Sequence, residues 1–143
     1  MTNFSKKYYE LIDQYKIAHK KGIKKNDGKI EGVNTFSGRS LESNIFDIKK
    51  IIEETGTKSI LDYGCGKALW YLNNVTINKK SYKGVCDYWN INNFKLFDPG
   101  VDKFANRPFE KYDGVICTDV LEHIHPGDIG SVVKDIFSFA NKF

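Results

Sequence analysis

The feature that most constrains the fold is an apolar run that leads directly into a glycine turn at residues 59–67, with the sequence SILDYGCGK. Gly64 and Gly66 allow the backbone to turn sharply and to approach a ligand closely, and Asp62 lies where the predicted strand ends. A dinucleotide site needs a third glycine three residues further on, but position 69 is leucine. The run therefore favours a nucleotide-shaped cofactor other than NAD, although a purely structural strand-to-helix turn remains an alternative.

The rest of the chain alternates helical and strand-like segments. Helices are predicted over 4–21 and 41–55, ended by Gly22 and Gly56, with a loop over 22–38 between them. The predicted core then comprises strand 58–62, helix 67–73, a strand-like stretch 82–86, strand 93–97, strand 113–118 and helix 128–141. This alternation predicts an α/β fold with a predominantly parallel sheet, in which ligands bind beyond the carboxyl ends of the strands.

The length of 143 residues indicates a single domain over 1–143. We expect a helical cap over 1–56 and a cofactor-binding core over 57–143. Asp62, Asp98 and Asp119 lie at the carboxyl ends of three of the predicted core strands and are therefore expected at one edge of the sheet.

A second motif lies about fifty residues after the glycine turn, where residues 112–124 are YDGVICTDVLEHI. Together with residues 61–67 it resembles the class I S-adenosylmethionine-dependent methyltransferases. Residues 35–41 (TFSGRSL) and 96–101 (LFDPGV) also resemble one bacterial and phage subgroup of that family. The resemblance covers residues 35–143, and it implies a Rossmann-like three-layer sandwich and methyl transfer from S-adenosylmethionine.

The resemblance also implies a set of cofactor-binding residues. Asp62 is expected to hold the ammonium group of the cofactor, and an acidic residue after the second strand is expected to hold the ribose. Asp87 fits the usual spacing of about 20 residues after the glycine turn, but the setting of Asp98 matches the subgroup better. The predicted cofactor-binding residues are Asp62, Tyr63, Gly64, Gly66, Asp98, Thr118 and Asp119.

Catalytic residues are not assigned. His123 is a candidate general base, but methyl transfer from a sulfonium depends mainly on in-line positioning, so Glu122 and His123 are better explained as supports of the loop. The run from Asp119 to His123, with His125 nearby, resembles the Glu-x-x-Glu-His metal cluster of small-RNA 2′-O-methyltransferases. It has aspartate in the first position and lacks a distant histidine ligand, so no metal site is predicted.

Other side chains carry weaker expectations. Arg39 can reach the cofactor carboxylate or an acidic acceptor with its fork of donors, or it lies free on the surface. Asp113 is predicted to be structural, and Trp70 and Trp89 to pack in the core or a lid. The odd set of Cys65, Cys86 and Cys117, without a Cys-x-x-Cys pair, predicts free thiols.

Composition and charge narrow the choice of partners. The chain has no apolar run near the roughly 20 residues of a membrane helix and no signal-like N-terminus, so we expect a cytoplasmic location. Residues 1–30 carry eight lysines against three acidic residues, a net charge of +5 within a chain of +4. A solvated lysine-rich face explains this better than a phosphate-binding face.

The chain is short for the family that it resembles, because a full domain of that class has seven strands. We expect it to end after the fourth strand and the following helix, and we expect the open edge beside 113–118 to pair in a homodimer.

The favoured function is methylation of a small molecule. The alternatives are a catalytically silent S-adenosylmethionine-binding protein and an enzyme that cleaves S-adenosylmethionine. A nucleic-acid acceptor is disfavoured, because residues 118–121 are TDVL instead of the Asn/Asp-Pro-Pro-Tyr/Phe motif of amino-methylating DNA enzymes.

Overall fold

The computed structural model describes residues 3–24, 26–28, 30–31 and 36–143. Its helices are α1 (Lys6–Lys21), α2 (Ile45–Thr55), α3 (Leu69–Leu72), α4 (Val85–Trp89) and α5 (Ile129–Ser138). Its strands are β1 (Ile23–Lys24), β2 (Ile30–Glu31), β3 (Ser59–Tyr63), β4 (Val75–Ile77), β5 (Lys80–Tyr82), β6 (Asn93–Phe97) and β7 (Gly114–Ile116). Short 3-10 helices cover Arg39–Asn44, Asp102–Phe104, Leu121–His123 and Pro126–Asp128. Thr35, the first residue of one predicted motif, lies outside the described residues, as do 25, 29 and 32–34 of the predicted loop.

A parallel sheet in the order β6-β3-β7 forms the centre of the fold. Its middle strand is buried on both faces: Ile60 packs in one apolar cluster and Leu61 in the other. Residues of α2, α3 and α4 contribute to the first cluster, and residues of α1 and α5 to the second. The predicted α/β fold with helices on both faces of a parallel sheet is therefore confirmed.

The register brings the carboxyl ends of the strands together. Asp62 of β3 lies opposite Leu96 of β6 and Ile116 of β7. The segments that follow these strands, which carry Asp98 and Asp119, therefore emerge at the same edge as the glycine turn.

The predicted strand over 82–86 is wrong. Residues 80–82 form β5, which pairs antiparallel with β4, and α4 begins at Val85. Gly84 separates them with φ 133°, and a Cβ atom there would lie 2.4 Å from the carbonyl oxygen of Tyr71. The shortened third strand expected over 101–108 is also not formed, since this segment contains the 3-10 helix at Asp102–Phe104. In the described residues, β7 is thus the third parallel strand and not the fourth.

The outer edge of β7 is partly covered by the end of the chain itself. Tyr112 N–H donates to the carbonyl of Phe139, and Val115 N–H donates to that of Phe143, each at 2.8 Å. These contacts explain why α5 ends at Ser138 and not at the predicted residue 141. The homodimer predicted through this edge stays a prediction.

Both ends of α1 are bonded to other segments of the chain. Ser5 donates to the Asp128 carboxylate from its backbone N–H (2.8 Å) and from its hydroxyl (2.6 Å), and Lys20 pairs with Asp102 at 2.8 Å. Gly22 and Gly56 follow α1 and α2, as predicted. No described helix has both the length and the apolar character that a bilayer crossing requires.

Candidate functional site

A cleft of about 410 Å³ opens at the carboxyl ends of the three parallel strands. Its floor consists of the glycine turn after β3 and the segments that follow β6 and β7. Its opposite wall is the inner face of α1 together with residues 36–40. The cleft is thus placed where ligands bind in open α/β sheets.

The glycine turn is fixed by contacts within the protein. The N–H groups of Gly64 and Cys65 both donate to the carbonyl of Phe97, at 2.7 and 3.2 Å. Gly64 has φ 87°, and a Cβ atom there would lie 2.3 Å from Val120 Cγ2. Gly66 has φ 55°, and its Cβ would lie 2.5 Å from the carbonyl oxygen of Phe36. A side chain at either position would force its neighbour to shift, so the two glycines let the turn approach the segment that follows β7 and the backbone of Phe36 closely.

Asp62 is buried behind this turn with only 4% of its surface exposed. Its Oδ1 atom has no hydrogen-bond partner in the described part of the chain. Burial raises the pKa of this carboxyl to about 7, against the lowering effect of the nearby Tyr71 hydroxyl, which lies outside hydrogen-bond geometry. A recess of about 10 Å³, lined in part by Ser40 and Thr118, adjoins the carboxyl. It can hold about one group the size of a water molecule.

Asp98 joins the glycine turn to the turn after β6. Its Oδ2 accepts from Gly66 N–H and its Oδ1 accepts from Gly100 N–H, each at 2.8 Å. The side chain lines the cleft. Asp87, the alternative ribose ligand, is exposed in α4, accepts from Lys83 N–H at 2.9 Å, and is not among the residues that line the cleft. Of the two candidates, the structure brings Asp98 alone to the glycine turn.

The segment after β7 supplies polar groups to another part of the cleft. Thr118 lies 3.5 Å from Ser40, hydroxyl to hydroxyl, and Asp119 follows with φ 60°. A hydrogen bond with Glu122 raises the pKa of Asp119. The His123 ring lies edge-on to Tyr15, with 5.6 Å between ring centroids. The predicted positions of Thr118 and Asp119 at the strand end are therefore found, and His123 also lines the cleft.

The acidic cluster considered for a metal is compact but open to solvent. Potential ligand atoms of Asp119, Glu122 and His123 lie within 4.8 Å of one another, and all three residues are exposed. Exposed acidic groups of this kind are common without a metal ion. His125 does not join them, because its Nδ1 accepts from Gly127 N–H at 3.2 Å and faces Asp128.

The inner face of α1 contributes a wall that the sequence did not predict. It consists of Tyr8, Leu11, Ile12, Tyr15 and His19. Burial raises the pKa of the Tyr15 hydroxyl, and the carboxylates of Asp119, Glu122 and Asp98 raise it further. The helical repeat of apolar residues indicated that α1 packs on the core, but it does not distinguish a core from the wall of a cleft.

Of the remaining residues singled out in the sequence, some line or border the cleft and others pack in the core. Tyr63 lines the cleft, and its hydroxyl donates to the buried Asp135 at 2.9 Å. Arg39 borders the cleft but is 85% exposed and lies 3.6 Å from Glu42, so its contact with a ligand stays a prediction. Trp89 is buried and donates from its indole to the Ile45 carbonyl at 3.0 Å, which confirms a packing role.

Two further structural predictions are confirmed. Asp113 accepts from Lys58 N–H at 2.7 Å and thus fixes the start of two neighbouring strands. The three cysteines are free thiols.

Comparison with known proteins supplies the class of the protein. A family model described as a methyltransferase domain matches residues 21–142. The chain therefore belongs to this methyltransferase family, which confirms the resemblance found in its two motifs. No curated protein matches the chain, and no solved structure does.

Proposed function

We propose that this methyltransferase binds S-adenosylmethionine in the cleft and methylates a small-molecule acceptor. The observation that carries the proposal is the pair of carboxylates around the glycine turn. Asp62 lies behind the turn, and its buried Oδ1 has no partner among the residues that the structure describes. Asp98 lies on the cleft side of the turn and accepts from Gly66 N–H. When bound, S-adenosylmethionine supplies an electrophilic methyl group on a sulfonium.

Asp62 would hold the ammonium group of the cofactor. A buried carboxylate without a partner is costly, and a cationic donor is the partner that favours its charged form. The recess beside it has space for about one water-sized group, which suits an ammonium. The hydroxyls of Ser40 and Thr118 border the same recess and can accept hydrogen bonds from the other N–H groups of the ammonium.

Asp98 would hold the ribose hydroxyls. Its two oxygens each accept one backbone N–H, which fixes the carboxylate in place, and each retains capacity for a second hydrogen bond. Hydroxyl groups donate well to a carboxylate, and such charge-assisted bonds are stronger than neutral ones.

The acceptor would enter beside Asp119 and His123, against the inner face of α1. The cleft volume of about 410 Å³ is near the lower end of the range of roughly 300–1,000 Å³ for small-molecule sites. The apolar side chains of Leu11 and Ile12 line this cleft together with the ring of Tyr15. These side chains would favour a small, partly apolar acceptor next to the cofactor.

Isothermal titration of S-adenosylmethionine into the wild type, Asp98→Asn and Asp87→Asn tests the cofactor part. Both residues accept a backbone N–H, but only Asp98 lines the cleft, so Asp87→Asn is a matched control. We expect Asp98→Asn to weaken binding at least about tenfold, which is the loss expected for one charge-assisted hydrogen bond. Asp87→Asn should remain within about twofold of the wild type.

Product analysis tests the reaction. The protein is incubated with S-adenosylmethionine and a panel of small phenols and amines, and the nucleoside products are identified by mass spectrometry. S-adenosylhomocysteine would support methyl transfer, methylthioadenosine would indicate cleavage of the cofactor, and unchanged ligand would indicate binding alone. Absence of binding by a folded wild-type sample would contradict the whole proposal.

A further inference from the structure

His19 is a histidine of α1 that neither sequence motif includes. It lines the cleft, and its ring lies 4.6 Å from the ring of Phe36, centroid to centroid. A Cβ atom built on Gly100 would lie 3.2 Å from Asp98 Oδ1 and 3.7 Å from His19 Cδ2. His19 and Asp98 therefore face the same small space beside the glycine at position 100.

One nitrogen of this ring is unsatisfied. His19 Nδ1 is buried and has no hydrogen-bond partner among the residues that the structure describes. A half-turn of the ring about its Cβ–Cγ bond exchanges the positions of Nδ1 and Cδ2, and thus brings Nδ1 to the space beside Gly100 and Asp98. A buried nitrogen without a partner costs free energy, so a ligand that supplies one is stabilised.

The chemistry of the two side chains is complementary to a vicinal diol. Burial lowers the pKa of His19, against the opposite effect of Asp98, so the ring is mainly neutral at pH 7 and offers one N–H donor and one acceptor. A carboxylate can only accept hydrogen bonds, whereas each hydroxyl of a ribose both donates and accepts. A neutral imidazole beside Asp98 supplies the donor that the carboxylate lacks.

We propose that His19 is a positioning residue that binds the ribose of a nucleoside ligand together with Asp98, and so joins α1 to the bound ligand. This inference rests on the proposed function, because it places the ribose at Asp98. The ion pair of Lys20 with Asp102 joins the same two segments that carry His19 and Asp98, at 2.8 Å.

The test measures the binding of adenosine, 2′-deoxyadenosine and 3′-deoxyadenosine by isothermal titration to the wild type and to His19→Phe. Phenylalanine keeps an aromatic ring at this position and removes both nitrogens. We expect the wild type to prefer adenosine over at least one deoxy analogue by about tenfold, and His19→Phe to reduce that preference to about threefold or less.

Two further variants separate ribose binding from an effect on the helix. His19→Asn keeps a hydrogen-bonding atom near the place of Nδ1 and should retain part of the preference. Gln14→Ala alters the exposed face of α1 and should retain all of it. Thermal melts of each variant establish that it is folded, and His19→Leu, which also lacks both ring nitrogens, replaces His19→Phe with the same expected loss if His19→Phe does not fold.

An unchanged preference for adenosine in folded His19→Phe would overturn the inference, even if S-adenosylmethionine binding is normal and the proposed function stands. An equal loss of affinity for adenosine and both deoxy analogues would also overturn it, because it would indicate a general effect on the cleft. A wild type that binds neither S-adenosylmethionine nor adenosine would overturn the proposed function and this inference together.

Discussion

Replacement of Asp62 by asparagine tests whether this buried carboxylate is present for a ligand and not for the fold. Burial raises its pKa from the ordinary value of 3.8 to about 7. With about 1.4 kcal/mol for each pH unit, ionisation of Asp62 costs the folded protein about 4 kcal/mol. The typical stability of a domain is only about 5–15 kcal/mol, so this cost is large.

The sign of the pH dependence follows from the raised pKa. Between about pH 4 and pH 7 the folded protein binds the Asp62 proton more tightly than the unfolded chain does. The stability contributed by the protonated carboxyl is therefore complete below about pH 4 and is lost as the pH rises through about 7. Asparagine cannot ionise, so the variant lacks this loss.

From pH 5 to pH 8, the unfolding free energy of the wild type should fall by about 2–3 kcal/mol relative to that of Asp62→Asn. Urea denaturation of the ligand-free proteins, followed by circular dichroism at both pH values, measures it. The same variant should bind S-adenosylmethionine at least about tenfold more weakly, because it lacks the charge that holds the ammonium.

Asp87→Asn serves as the control, since its carboxylate is exposed. A difference between Asp62→Asn and the wild type that stays constant from pH 5 to pH 8 would refute the argument about the buried charge. A variant with unchanged affinity would refute the argument about the ligand. The two parts of the reasoning are thus tested by separate measurements.

Two further predictions concern the support of the cleft. Gly64→Ala should lower the free energy of unfolding in urea by about 2–4 kcal/mol, because the new Cβ would lie 2.3 Å from Val120 Cγ2. Gly56→Ala is the control. It has φ 61° and nothing within 4 Å of the new Cβ, so it should cost only about 1 kcal/mol. Equal losses would show that backbone strain alone is responsible. Arg107→Leu should cost about 2 kcal/mol in the same assay, because it removes the ion-pair partner of Asp135, which is only 1% exposed; a loss below about 0.5 kcal/mol would contradict this.

The parts of the fold that local patterns determine were predictable from the sequence. Strands β3, β6 and β7 are short segments with apolar residues near their carboxyl ends, and the sheet places Asp62, Asp98 and Asp119 at one edge. The glycine turn was predictable because two closely spaced glycines after a strand usually mark a sharp turn of the backbone. The methyltransferase family followed from the two motifs, and the family model confirms it.

The errors arose where a contact distant in the sequence decides the structure. Val85 and Cys86 fit a short strand as well as a helix, and periodicity cannot separate the two over so few residues. Only the close approach of Gly84 to the Tyr71 carbonyl shows that the chain must turn there. His19 had no signal in the sequence, because its place in the cleft depends on how α1 packs across the strand ends.

The buried oxygen of Asp62 is the strongest argument against a purely structural glycine turn. Two other aspartates of this chain accept hydrogen bonds from backbone N–H groups, Asp87 from Lys83 and Asp113 from Lys58. Asp62 differs from both, since it is buried and its Oδ1 lacks a partner in the described part of the chain. A turn that served only the fold would gain stability from a neutral side chain at this position, so the carboxylate beside the small recess supports the proposal that a cationic group of a ligand binds there.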